Sequence, residues 1–384
     1  MFRVAYLDHT AKWSGGEIAL FNLLTNLDKS VQPLVILAEE GTLADKLRER
    51  GIEVRIIWLD ERTRYRNRNN VDFALLLSGI NVFRHGLKLA RILKEEQVVC
   101  VHTNSLKSAF YGGVAAKLAR LPLVWHIRDQ IASPYLRPVV ARFIRLLAKM
   151  IPNGIIANSH STMSTLDLPK RRSRHALVAY SSYDGPIGAR EEKHNMERFA
   201  VLLVGRLDEW KGQHVLLEAA KSFLGDPRVQ FWIAGDALFG NTVYKEKLER
   251  KIREESLTNV KLLGHVDPVR SVLQKADLLI HTSIIPEPFG QVIVEGMANG
   301  LPVIATDMGG PREIVLNGET GMLIEPGDPG ALARAIRWML EHPEERRRMG
   351  KLAMERVRDH FRIETTVKKI LEFYPNIIVN KKAH

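Results

Sequence analysis

Short apolar runs rich in β-branched residues alternate along this chain with longer segments whose apolar positions recur at helical spacing. In the first half the runs fall at Arg3–Leu7, Leu34–Ala38, Val54–Leu59, Val98–His102, Leu123–Ile127, Gly154–Asn158 and Leu177–Tyr180. In the second half they fall at Phe199–Gly205, Val229–Gly235, Val260–Gly264, Leu278–Thr282, Pro302–Thr306 and Met322–Glu325. Strands that are apolar on both faces, joined by helices, predict a parallel sheet covered on both sides. Two sets of six or seven such strands are too many for one compact sheet. The fold class expected is therefore α/β, built as two Rossmann-like, doubly wound domains. Ser181–Arg198, with Ser, Gly, Pro and charges and little apolar periodicity, reads as the linker. The domains are expected over residues 1–185 and 186–364, with a C-terminal helix or tail at 365–384 returning to the first. The polar, basic, aperiodic stretch 62–70 reads as a mobile loop.

Open parallel sheets bind ligands beyond the carboxyl ends of their strands. Two such domains facing each other would share a central cleft there, so the residues just after each strand are where chemistry is expected.

Composition narrows the class. The 384 residues, 45% hydrophobic and 26% charged, suit a soluble globular protein of two ordinary domains. No apolar run reaches the roughly eighteen residues that a membrane-spanning helix needs. The opening segment Met1–Asp8 enters a strand directly and lacks the pattern of a signal peptide. Cys100 is the one cysteine and lies in an apolar run, which excludes a disulfide framework and reads as a buried thiol. Together these point to the cytoplasm. The net charge of +12 is unevenly placed. Residues 1–190 hold 28 Lys+Arg and 16 Asp+Glu, and subtraction from the totals of 56 and 44 leaves 28 of each for the remainder. All the excess is in the first half, which suits an anionic partner there, although a merely soluble basic surface has the same composition.

Candidate chemistry gathers after the strands. In Pro286-Glu287-Pro288-Phe289-Gly290-Gln291-Val292-Ile293-Val294-Glu295, one carboxylate lies on a loop and a second lies in the helix that follows. A helix entered near Gly290, with Phe289 and Gln291 on either side, points free N–H groups and a positive dipole end at an anion. Glu295 would then be placed to accept from a ribose diol, and Glu287 from a sugar hydroxyl. A helix-start carboxylate plus a solvated one has the same spacing. Gly205-Arg206-Leu207-Asp208-Glu209-Trp210-Lys211-Gly212 sets two cations at a strand end. At ~4 Å and an effective dielectric of ~20, each contact to a phosphate gains about 4 kcal/mol before desolvation. There is no Asp-x-Asp triplet and no Cys/His cluster with metal spacing, so no metal and no cofactor is expected. His126, Arg128 and Asp129 follow one N-terminal strand, and Asn104 and Ser105 follow another. For His126 a core histidine is the alternative. Gly15-Gly16 interrupts the first strand-to-helix turn, as any tight turn would.

The Glu-x7-Glu block resembles the signature of retaining glycosyltransferases with the GT-B fold, particularly glycosyltransferase family 4. Gly300–Val315 and Asn317–Leu323 are similar to the same family. The likeness is dense over about residues 199–360 and thinner before them. It implies that Arg206 and Lys211 contact a donor diphosphate and that Gly15 and Gly16 approach it from the N-terminal side. It also implies that His126 faces the transferred sugar, and that Gly205, His265 and Val266 border the nucleotide. His126, Arg206, Lys211 and Glu287 are the implied catalytic set, with Phe289, Gly290, Gln291 and Glu295 on the donor. Asn104, Ser105, Arg128 and Asp129 are assigned to the acceptor side. The resulting expectation is metal-independent transfer of a hexose-type sugar from a UDP or GDP donor to a glycan, lipid-linked or small-molecule hydroxyl. The alternatives are a sugar-nucleotide epimerase on the same architecture and a non-catalytic nucleotide-sugar-binding subunit. A nucleic-acid partner is not expected, since no zinc module, basic helix-turn-helix or RNA-stacking pattern is present.

One segment suggests a location. Across 134–150, Arg137, Arg142, Arg145 and Lys149 share one helical face and apolar residues fill the rest. An interfacial helix at the inner face of an anionic membrane has this pattern, and so does a helix packed on a sheet.

Overall fold

The computed structural model describes residues 2–59, 74–188, 198–237 and 242–379. The 62–70 loop and residues 189–197 of the 181–198 linker lie outside them. The chain divides into two compact units, one comprising 1–182 with 363–384 and the other 183–362.

The first unit holds a seven-stranded sheet of β1 (Phe2–Asp8), β2 (Val31–Leu37), β3 (Glu53–Ile56), β4 (Cys100–Thr103), β5 (Leu123–Ile127), β6 (Gly154–Ala157) and β7 (Ala176–Val178). Their order is β3-β2-β1-β4-β5-β6-β7, and every pairing is parallel. The second unit holds a six-stranded parallel sheet of β8 (Phe199–Val204), β9 (Val229–Ala234), β10 (Val260–Gly264), β11 (Leu278–His281), β12 (Val303–Thr306) and β13 (Gly321–Ile324). Its order is β10-β9-β8-β11-β12-β13. Every strand expected from an apolar run forms, within three residues at its ends. Continuous burial explains this, because β4, β5, β6, β11 and β12 are buried at every position.

Helices cover both faces of the first sheet. One core joins β4 and β5 to the helices Leu106–Ala119 and Pro138–Met150. The other joins Val4, Tyr6 and Val124 to Leu20 and Leu23 of the helix Gly15–Thr25 and to the C-terminal helix Ile363–Val379. That C-terminal helix contributes Ile363, Val367, Ile370, Phe373, Tyr374 and Ile377 to this core. It lies so close to the sheet that a Cβ on Gly154 would stand 2.8 Å from the Phe373 ring. In each sheet the chain runs outward from the first strand and then restarts on that strand's other side. The switch points are β1/β4 and β8/β11, where strand-end loops splay apart and leave room for a ligand.

Candidate active site

In the second unit, two segments meet at the β8/β11 switch point. After β8 the chain makes a single 3₁₀ turn, Glu209–Lys211, closed by Gly212 at φ 72°. A Cβ at Gly212 would lie 1.9 Å from the Thr282 carbonyl oxygen, so only glycine lets the turn rest against the loop after β11. Thr282 Oγ1 donates to the Lys211 carbonyl (3.0 Å), and the Ile284 N–H donates to the Trp210 carbonyl (2.8 Å). The turn is thus tied to the segment carrying Glu287.

Lys211 Nζ donates to both oxygens of the Glu287 carboxylate, at 2.6 and 2.7 Å. His281 Nε2 (3.0 Å) and Ser283 Oγ (2.8 Å) also donate to Oε2. Both members of the pair are largely withdrawn from water, with Lys211 17% and Glu287 13% exposed. Burial pushes the Glu287 carboxyl up, but the Lys211 charge and the His281 and Lys211 hydrogen bonds outweigh it and hold the group far below the carboxylate range. Arg206 Nη2 pairs with Asp208 Oδ2 at 2.9 Å, and Gln213 Nε2 donates to the Arg206 carbonyl.

The helix Gln291–Ala298 starts at Gly290, as expected, with Glu295 in its second turn. Burial pushes the Glu295 carboxyl up to about 7, against a hydrogen bond from Gln291. Burial first, and the nearby Glu295 charge with it, raise the Tyr183 hydroxyl, against Arg270 and Asn299, which lower it. Phe289 turns inward, 3% exposed and packed against Phe361, so what it can offer a ligand is backbone. A Cβ at Gly310 would lie 2.3 Å from the Phe289 carbonyl oxygen, which makes the Gly309-Gly310 turn the support of this loop. Gly205 lies beside the Lys211 stem, its absent Cβ 3.9 Å from Cδ. His265 is exposed just beyond β10, with Val266 half-buried after it.

The β1/β4 switch point of the first unit holds a second, tightly bonded cluster. Asn104 Nδ2 donates to Asp8 Oδ2 (2.6 Å) and to the Gly16 carbonyl (3.1 Å), while Asn104 Oδ1 accepts from Arg128 Nε (2.8 Å). Arg128 Nη1 donates to Ser181 Oγ (2.9 Å), and its Nη2 faces His126 Nδ1 at 3.4 Å. Ser105 Oγ meets His9 Nδ1 at 2.8 Å and caps the helix Leu106–Ala119. Asp129 Oδ1 accepts from the Tyr135 hydroxyl (2.9 Å). Ser14 Oγ donates to Glu17 Oε2.

Charge is rationed in this cluster. Burial and the nearby Asp8 charge push Glu17 up to about 8, partly opposed by Ser14. Asp8 stays below the ordinary range because His9 and Asn104 outweigh the burial that would raise it. Burial lowers Arg128 to about 10, against the Asp8 and Glu17 charges. Burial, then Arg128 and His102, hold His126 well below 6.5 and hence neutral.

Gly16, Asn104, Arg128 and His126 therefore form one group, although the glycines were assigned to the donor and Asn104 and Arg128 to the acceptor. Sequence reasoning missed His281 and Ser283, whose only signal was polar residues ending an apolar run, and missed Asp8, Glu17 and Tyr374. Among the described residues there is no cluster of three or more His, Cys, Asp or Glu arranged to hold a metal.

Comparison with known proteins gives the site a context. The sequence model described as "Glycosyl transferases group 1" matches residues 188–356, and that described as "Glycosyltransferase Family 4" matches residues 41–169. The D-rhamnosyltransferase WbpZ of Pseudomonas aeruginosa is 30% identical over 247 residues, which are 61% of this chain and 61% of that protein. An uncharacterized glycosyltransferase of Methanocaldococcus jannaschii is 28% identical over 316 residues, 80% of this chain and 86% of that one. Anabaena HepE, solved in complex with UDP-glucose, superimposes with a TM-score of 0.84 at 26% identity, over 98% of this chain and 100% of that chain.

Proposed function

Because the chain belongs to the GT-B glycosyltransferases of the group 1 and family 4 type, we propose that it transfers a hexose-type sugar with retention at the anomeric carbon. The donor is a uridine or guanosine diphosphate sugar, and the acceptor is a hydroxyl of a glycan, lipid-linked or small-molecule substrate. The UDP-glucose in the Anabaena HepE complex supports the uridine nucleotide.

The observation that carries the reading is the buried Lys211–Glu287 pair beside the start of the helix Gln291–Ala298. An arriving diphosphate competes for Lys211, while the helix start and Arg206 add donors to its oxygens. Glu287, released in part from its lysine, then accepts a hydrogen bond from the sugar. The acceptor oxygen bonds to the anomeric carbon as the bond to the β-phosphate oxygen breaks. The acceptor's proton passes to that departing phosphate, so atoms and charge balance. On this mechanism the chain supplies position and preorganised positive charge, and Arg206, Lys211 and the helix start meet the need that a metal ion meets elsewhere. Glu295, largely buried in the second turn, accepts from the ribose.

The acceptor-holding unit is proposed to rest on an anionic lipid surface at the cytoplasmic side. On the helix Pro138–Met150, Ala141, Ile144 and Ala148 face inward, while Val139 (69%), Phe143 (52%), Leu146 (54%) and Met150 (69%) stay exposed on one stripe. The exposed Arg137 and Arg142 lie on the same helix turns, in the half of the chain with all the excess positive charge. An apolar stripe with basic neighbours is complementary to acyl chains beneath anionic headgroups. No described helix is long and apolar enough to cross a membrane.

The deciding experiment is Arg206→Ala assayed for nucleoside diphosphate release with a panel of nucleotide sugars, with and without EDTA. Turnover is expected to fall about a hundredfold or more, the scale of losing one charge-stabilising donor. Near-normal turnover, or a requirement for the chelated metal, refutes the charge arrangement proposed.

A further inference from the structure

At the β1/β4 switch point of the first unit, one histidine is tied into the polar cluster by a single ring nitrogen. Leu7 pairs with Thr103, so two residues further along each segment His9 and Ser105 come side by side. His9 Nδ1 is 3.0 Å from Asp8 Oδ1 and 2.8 Å from Ser105 Oγ, and the His9 backbone N–H donates to the same Asp8 oxygen (2.7 Å). The Asp8 carboxylate has no solvent exposure, whereas the His9 ring keeps 22% of its surface. Among the described residues no hydrogen bond reaches His9 Nε2.

The tautomer follows from the carboxylate. Asp8 Oδ1 already accepts the His9 N–H and Oδ2 accepts from Asn104, and an ionised carboxylate can only accept. Burial would raise Asp8, but His9 and Asn104 outweigh it and keep the group ionised. Nδ1 therefore carries the proton shared with Asp8 and Ser105, and the neutral ring presents its lone pair at Nε2. The loop that carries the ring is fixed as well. Glu39, just beyond β2, accepts from Thr10 Oγ1 (2.5 Å) and from the Ala11 N–H (3.2 Å), while the Leu43 N–H donates to the Ala11 carbonyl (2.9 Å).

A buried carboxylate behind an imidazole fixes the ring so that its other nitrogen can meet a substrate. Charge decides what that nitrogen can meet. A lone pair beside the Asp8 carboxylate repels phosphate oxygens and accepts from a neutral hydroxyl. We propose that His9, oriented by Asp8 and Ser105, binds the sugar acceptor, its Nε2 taking a hydrogen bond from one of the acceptor's hydroxyls. The acceptor contact rests on the transfer reaction proposed above, whereas the exposed lone pair does not. His9 holds the acceptor and removes no proton from it, since the reacting proton passes to the departing phosphate.

Two substitutions separate the two sides of the ring. In His9→Asn an amide N–H stands near the place of Nδ1 and still reaches Asp8 and Ser105, but nothing stands where Nε2 was. In His9→Gln an amide oxygen stands near the place of Nε2, but the donor to Asp8 is lost. Transfer is read as nucleoside diphosphate release, with the best donor of the nucleotide-sugar panel and p-nitrophenyl hexosides as acceptor probes. His9→Asn should raise the hexoside KM about tenfold, the scale of one lost hydrogen bond, and move the donor KM less than about threefold. His9→Gln should restore hexoside kcat/KM to within about threefold of wild type. A merely structural role has the opposite signature, in which Asn is tolerated and Gln fails.

Long-range ¹H–¹⁵N correlation on the ¹⁵N-histidine-labelled full-length wild type reads the same site without any substitution. At pH 8, His9 should show a protonated Nδ1 and a bare Nε2, and the Nε2 resonance should move upfield when hexoside is added with the nucleoside diphosphate. A proton found on Nε2, an Nε2 resonance that ignores the hexoside, or donor and hexoside KM values that rise together would overturn the proposal. Failure of the function proposed above looks different. No hexoside would then raise diphosphate release by the wild type with any nucleotide sugar, while the Nε2 response to hexoside still decides the role of His9.

Discussion

Lys211→Ala probes the central ion pair, because it strands a carboxylate that the fold has withdrawn from water. Removing one partner of a buried pair costs ~3–5 kcal/mol. Here the two side chains keep 17% and 13% exposure, and His281 and Ser283 still donate to Glu287, so about 2 kcal/mol is the better figure. For a cooperative unit of ~150–250 residues that corresponds to a fall in Tm of about 4–8 °C. The sign with pH follows from Glu287. In the wild type its folded pKa lies below the ordinary 4.5, so its stabilisation is fully present above that value and is lost as pH falls through the folded one. In Lys211→Ala, burial has lost its chief opponent and the folded pKa rises above 4.5. Stability should then fall as pH rises through that new value, so the deficit against wild type is larger at pH 8 than at pH 5. Adding Glu287→Gln removes the stranded charge while keeping an acceptor for His281 and Ser283. The double variant should recover at least half of the lost Tm and none of the transfer activity. Differential scanning calorimetry at both pH values, paired with a diphosphate-release assay, measures each arm. A Tm within about 1 °C of wild type at pH 8, or a double variant less stable than the single, would refute the reasoning.

Glu295→Gln should weaken nucleotide binding and flatten its pH dependence. With the wild-type carboxyl near 7, calorimetric affinity should rise from pH 6 to pH 8.5 as it ionises and becomes a pure acceptor, and equal slopes in both proteins would count against the ribose role. Gly310→Ala would set a methyl 2.3 Å from the Phe289 carbonyl oxygen and push the 286–290 loop, so donor KM should rise about tenfold or more with a lowered Tm. Unchanged kinetics would show that the loop needs no such support. Phe143→Asp with Leu146→Asp should abolish flotation with phosphatidylglycerol vesicles while sparing donor binding. Equal flotation of wild type with neutral phosphatidylcholine vesicles would remove the electrostatic part of the argument.

Strand positions were legible because a strand buried on both faces must be apolar throughout, a property that periodicity reads directly. The glutamate pair, the Arg206–Lys211 segment and the helix start at Gly290 were legible for a related reason. Each is a local motif whose spacing, together with the family likeness, carries its meaning. The pairing of Lys211 with Glu287 was not legible, since 76 positions separate them and only the adjacency of β8 and β11 makes them neighbours. The partners of His126 were further out of reach. Tyr374 lies 272 residues from His102 and meets it only because the last helix packs back onto the first sheet. Local sequence determines which backbone a segment adopts and which chemical groups it carries. Which groups share a buried environment, and so which carboxyl stays charged and which imidazole nitrogen holds a proton, is decided by long-range packing, because desolvation and hydrogen-bond partners exist only once the chain has folded.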